Sequence, residues 1–209
     1  MGQRTSVEHA RRTVVDKSTL AASIGGGIFA AAFGLLTATI LIREEVADTV
    51  GGNVADWKGI TWYYVNAHMV YLDLEVSGSV EFLELSIMLD LISQSGSTNA
   101  QLLYLVPPLV LVAVGAGLAR YVRVRDIGEG VMVGAPITLG YGTVVTLLAI
   151  ASESSSEVEI LGVGVRGSIA PELMPTVVVA GVLYPLVFAT AGAVLYPLIS
   201  TARSVLAKL

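Results

Sequence analysis

Few residues in this sequence could do chemistry, and the best placed are Asn66 and His68, with Asp73 and Glu75 close behind. A histidine followed by carboxylates could contribute to a zinc site or to acid–base catalysis. The spacing supports neither. There is no H-E-x-x-H pattern and no cysteine to complete a thiolate site, and the second histidine, His9, lies in a basic N-terminal tail. An enzyme would need His68, Asp73 and Asp90 to converge. The residue types instead give Asn66 and His68 a structural, hydrogen-bonded place near a membrane interface. No catalytic residue, metal ligand or cofactor-binding residue is expected, and the protein is read as a non-enzyme.

The string GVGVRG, Gly162 to Gly167, matches the dinucleotide pattern G-x-G-x-x-G. That pattern works only between a parallel strand and a helix, with an acid about 20 residues further on. Here it lies in a loop between apolar runs and reads as a glycine-rich strand end. No nucleophile elbow, phosphate loop or calcium loop is present. A net charge of −5 argues against nucleic acid as a partner, because phosphate binding needs a basic patch.

The elements that must position these residues are membrane-like. Hydrophobic residues make up 54% of the chain and charged residues 14%, against about 25% charged in soluble domains. Four runs reach the length of about 20 residues that a helix needs to cross a bilayer. They divide the 209 residues into a basic tail (1–19), spans at 20–42, 102–119, 130–150 and 176–198, loops at 43–101, 120–129 and 151–175, and a C-terminal tail (199–209). The first run is about twice the length of a secretory core and lacks a small-residue cleavage site, so it reads as a retained helix. Pro107 and Pro108 suit the first turn of the second span.

Basic residues set a direction. Nine of the twelve lie in the two tails and the 120–129 loop, which predicts that both termini are cytoplasmic. Thirteen of the seventeen acids lie in the other two loops. So acidic an exterior suits a very salty medium.

Inside the outer loops, Trp57, Trp62, Tyr63 and Tyr64 read as an interfacial aromatic anchor. Leu72–Val76 and Val80–Leu85 alternate about Ser77-Gly78-Ser79, the pattern of a β-hairpin, and Glu157–Val165 adds a third strand. A sheet this small needs its apolar face packed on helix ends, on the aromatic cluster or on a neighbouring subunit. In the spans, small residues recur every four positions. Gly26, Ala30 and Gly34, then Gly130, Gly134 and Gly142, then Gly181 and Ala189 form seams for close helix packing, within one subunit or between subunits.

Asn66–His68 after the aromatic run, LLYLVPPLVLV (Leu102–Val112), GSIAPEL (Gly167–Leu173) and VVVAGVLYPLVFATAGAVL (Val177–Leu195) carry a resemblance. Over roughly residues 18 to 198 the chain resembles a family of four-helix membrane proteins of haloarchaea known only as a domain of unknown function. The resemblance implies a haloarchaeal cell membrane and supplies no activity. The expected fold is therefore mainly α, with four transmembrane helices and a small extracellular antiparallel sheet as a cap. The expected function is self-association that organises the membrane or envelope, with membrane lipid and further copies of the chain as partners. A passive channel or transport accessory is the alternative. It would require Thr39, Thr138, Thr146 and Thr190 to line one pore.

Overall fold

The computed structural model describes residues 16–49, 54–78, 84–160 and 163–206. Its helices are α1 (Lys17–Thr49), α2 (Asp56–Asn66), the short α3 (Leu91–Ser95) and α4 (Thr98–Leu102), α5 (Val106–Val122), α6 (Ile127–Gly134), α7 (Ile137–Ala151), α8 (Leu173–Pro175) and α9 (Tyr184–Leu206). Its strands are β1 (Leu72–Gly78), β2 (Glu84–Leu89), β3 (Ser154–Ile160) and β4 (Val163–Pro171).

Four helical stretches, Lys17–Ala47, Thr98–Val122, Ile127–Ala151 and Leu173–Ser200, are long and apolar enough to cross a membrane. Each outruns the span expected from hydropathy. A hydropathy reading stops at Arg43-Glu44-Glu45, but these are good helix formers and α1 continues to Thr49. The prolines act as their chemistry requires. Pro107 and Pro108 sit in the first turn of α5, and Pro136, which has no N–H to give, separates α6 from α7. Pro185 follows eight residues of wider π-helix, Thr176–Leu183. Such widening answers a missing donor one turn on.

Glycines set how closely the helices approach. A Cβ on Gly27 would strike the Ile137 carbonyl of α7, and one on Gly140 would strike the Ile24 carbonyl of α1. Gly115 of α5 and Ala189 of α9 meet in the same way, as do Gly192 and Val112. Gly134 faces Thr190, and Gly142 faces Gly181. Ser23 adds an interhelical bond by donating to the Val133 carbonyl at 2.9 Å. These contacts tie α1 to α7, α7 and α6 to the last helix, and that helix to α5.

The sheet has four strands in the order β2-β1-β4-β3, all neighbours antiparallel. Leu72 pairs with Leu89 and Pro171, and Ser154 pairs with Ile169. The expected third strand over Glu157–Val165 is in fact parts of two strands. Ser77 and Gly78 lie within β1 rather than in a turn, and Glu84–Leu89 is the strand that follows. Residues 79–83 of the expected hairpin lie outside the described residues.

Candidate functional site

The helix α2 is the main departure from expectation. Trp57 is exposed, but Trp62, Tyr63 and Tyr64 are buried within the protein. They are therefore core residues and not a belt at a lipid surface. The helix pushes its side chains among the long helices, and Gly34, near the middle of α1, leaves the space taken by the Tyr64 hydroxyl. Polar groups buried this far from the protein surface persist only where other protein groups satisfy their hydrogen bonds.

That satisfaction is complete around His68. Its Nδ1 lies 2.8 Å from the Tyr64 carbonyl, and its Nε2 lies 2.7 Å from the Tyr141 hydroxyl. A carbonyl only accepts, so Nδ1 carries the proton and Nε2 accepts from Tyr141. The Tyr141 proton is then spent, and Tyr64 donates to Tyr141 at 2.8 Å. One direction of bonding thus runs from Tyr64 through Tyr141 to His68 and back to the backbone of Tyr64. The three side chains are fully buried. The His68 ring also packs on the ring of Tyr184, with centroids 5.0 Å apart.

Burial disfavours the charged imidazole and lowers the His68 pKa from 6.5 to about 4, against the pull of backbone carbonyls at Tyr64 and Val65. Burial likewise raises the Tyr64 pKa well above its usual value. The knot is neutral at physiological pH.

Asn66 fixes the knot to its surroundings. Its amide donates to the Val70 carbonyl at 2.5 Å and its oxygen accepts from Leu91 N–H at 2.6 Å. Met69 then turns the chain with φ of 61°. The other end of α2 is held by Trp62 Nε1, which donates to the Ser152 carbonyl at 3.0 Å, and by Lys58 Nζ, which donates to the Glu153 backbone carbonyl at 2.6 Å.

The remaining candidates fall elsewhere. Asp73 accepts from Ser86 on the sheet, and Asp90 caps α3 and receives the Tyr104 hydroxyl. His68, Asp73 and Asp90 therefore have separate partners. No group of three metal-ligating side chains exists among the described residues. Val163 to Gly167 of the G-x-G-x-x-G string lie in the antiparallel strand β4, which runs on to Pro171, so no helix opens at the glycines. Thr138 and Thr146 line a shallow groove between α7 and the π-helical segment. Thr39 lies apart from it and bonds to the Leu35 carbonyl of its own helix.

Most small residues of the expected seams sit at helix contacts within the subunit. Ala30 and Ala189 are fully buried, and Gly34, Gly130, Gly134, Gly142 and Gly181 all sit at close contacts inside the subunit. Gly26 makes only an ordinary contact with Val114, whereas its neighbour Gly27 carries the tight crossing. Gly115, Gly140 and Gly192, equally tight, were not anticipated. Tyr141 and Tyr184 were also missed, because an isolated tyrosine in an apolar run gives no sign of its partner.

The sheet is the other candidate. Leu74, Val76, Leu85, Ile87, Val165 and Ile169 share one face by register. Leu85 is 55% exposed and Ile87 39%, and the rest are half-buried. The opposite face carries Asp73, Glu75, Glu157 and Arg166. Among the sheet residues whose burial is described, Leu72 and Pro171 at its root are the buried ones.

Comparison with curated proteins and with solved structures gives no match. Residues 2–199 match a family of unknown function (DUF7978), and the chain belongs to that family.

Proposed function

We propose that this is a non-enzymatic, multi-pass membrane protein that self-associates through its projecting sheet and so organises the membrane or envelope. In this reading the helices span the bilayer, the sheet stands outside, and both termini lie in the cytoplasm. The concentration of basic residues in the tails and the 120–129 loop supports that direction. The acid-rich outer loops support a very salty, haloarchaeal setting.

One observation carries the reading: an ordered sheet leaves a contiguous apolar face half exposed, beside edge strands β2 and β3 that have no further strand among the described residues. Such faces mark contact surfaces. A second copy is the partner that fits, because laying two apolar faces together covers both and turns both acidic faces outward. The helix seams support assembly less, being occupied within the subunit. A channel along the bundle axis is also less favoured, since Tyr63, Tyr64, His68 and Tyr141 fill the space between the helices.

The test is the mass of the detergent-solubilised particle in molar salt, by light scattering corrected for bound detergent and lipid. A defined assembly is expected for the natural chain. A double change, Leu85→Lys with Ile87→Lys, is expected to return it to one 21.8 kDa chain with unchanged helical content. A natural chain that is already monomeric would sink the proposal, as would an assembly indifferent to the two lysines.

A further inference from the structure

At the end of the bundle away from the sheet, a groove of about 730 Å³ runs between α5 and α9. Val112, Ala116, Gly117 and Leu195 form its apolar length, and Arg120 and Tyr196 stand at one end. Arg123 and Arg125 follow Arg120 in the turn to α6. The nearby acids are engaged with backbone: Glu129 accepts from the Arg125 N–H at 2.8 Å, and Asp126 accepts from the Glu129 N–H at 2.9 Å. Among the described residues the one ion pair is Arg166–Glu157, in the sheet. Among the described residues, the arginines at this end therefore have no carboxylate partner, and they stand beside an apolar slot open to the side of the bundle.

We propose that this groove binds one anionic membrane phospholipid, with an acyl or isoprenoid chain along Val112, Ala116 and Leu195 and its phosphate on Arg120. The inference rests on reading the bundle as membrane-spanning, and it is independent of whether the sheet assembles. Charge complementarity selects the ligand. A zwitterionic headgroup brings its own cation to the arginines, and a phosphodiester without one does not. A guanidinium also matches phosphate geometry with paired donors. The size lies within the range of sites that enclose most of a small ligand.

A second groove, of about 610 Å³ between α1 and α5, supplies the control. It is lined by Phe29, Phe33, Ala113 and Tyr121, and it has no arginine. Ala116 lines only the first groove and Ala113 only the second. The protein is extracted from membranes in detergent, mixed with phosphatidylglycerol and phosphatidylcholine of identical chains, and weighed with its bound lipid by native mass spectrometry. Recovery of the chain in buffer without detergent would overturn the membrane reading itself, before the lipid comparison begins.

The expected result is one retained phosphatidylglycerol. Arg120→Gln should weaken retention about fivefold, the loss of one near-surface charge contact. Ala116→Phe should abolish retention and Ala113→Phe should leave it unchanged. Equal retention of the two lipids would overturn the proposal. So would Arg120→Gln and Ala116→Phe both binding as the natural chain does, or displacement of the lipid by millimolar inorganic phosphate alone.

Discussion

The interior around His68 and the projecting sheet follow opposite rules within one chain. In the interior, each polar atom of His68 and Asn66 has a partner, and each close helix crossing is fitted to a glycine or alanine. In the sheet, backbone groups are paired between strands, yet large apolar side chains at Leu85 and Ile87 face outward. The first region is self-sufficient, so its residues answer to folding. The second is folded but uncovered, so its residues are free to answer to a partner. Substitutions should separate the two: interior changes should cost stability whatever the chain binds, and sheet changes should cost assembly at little expense in stability.

The largest effect belongs to the helix crossings. In Gly140→Leu the new side chain meets the Ile24 backbone, which cannot turn aside as a side chain would. The helices must separate, at a cost of roughly 3 kcal/mol or more. Gly25→Leu is the matched control, because nothing lies within 4 Å of its Cβ. Its effect should stay within about 0.5 kcal/mol. Thermal unfolding in detergent, followed by circular dichroism, separates these outcomes. Similar losses in both variants would mean that the crossing is not where α1 and α7 meet.

The knot comes next. Tyr141→Phe leaves His68 Nε2 buried without a donor and removes the acceptor for Tyr64. The expected cost is about 1–3 kcal/mol. The same site predicts a pH dependence. The folded His68 pKa is about 4 and the unfolded value 6.5, so the unfolded chain takes up its proton first as the pH falls. The stability due to neutral His68 is fully present above pH 6.5 and lost between there and about 4, amounting to about 3 kcal/mol. His68→Leu should flatten the slope in that window. A natural chain equally stable at both ends of the window would mean that water reaches the imidazole.

Architecture was legible in the sequence because long apolar helices leave crude marks: length, apolarity and small residues at crossings. Pro107-Pro108 marked the start of α5 for the same reason, since a residue without N–H fits only a first turn. What stayed hidden depended on pairings distant in sequence. The aromatic cluster Trp62–Tyr64 has the composition of an interfacial belt, and only the space at Gly34 and the hydroxyl of Tyr141 decide that it turns inward. The register of Gly25-Gly26-Gly27 was ambiguous because three consecutive glycines fit three helix faces equally well. Strand β4 was merged with β3 because both alternate and the residues joining them are glycine and leucine. The end of β1 was misplaced because Ser77-Gly78-Ser79 has turn composition, while pairing to β4 keeps Ser77 and Gly78 extended.

The smallest effect sharpens the comparison from the sheet side. Arg166 and Glu157 face each other at 3.4 Å on the acidic face, with side chains 65% and 67% exposed. Solvent screens such a pair, and a double-mutant cycle with Arg166→Gln and Glu157→Gln should give a coupling below about 0.5 kcal/mol. Its value lies in the second readout. Arg166 is on the face opposite Leu74 and Ile87, so Arg166→Gln should leave the particle mass unchanged if assembly uses the apolar face. If the acidic face is the contact instead, removing its arginine concentrates like charge there, and assembly should weaken most at low salt. A salt-dependent drop in mass on Arg166→Gln would therefore move the interface to the acidic face while leaving the interior, and its pH dependence at His68, untouched.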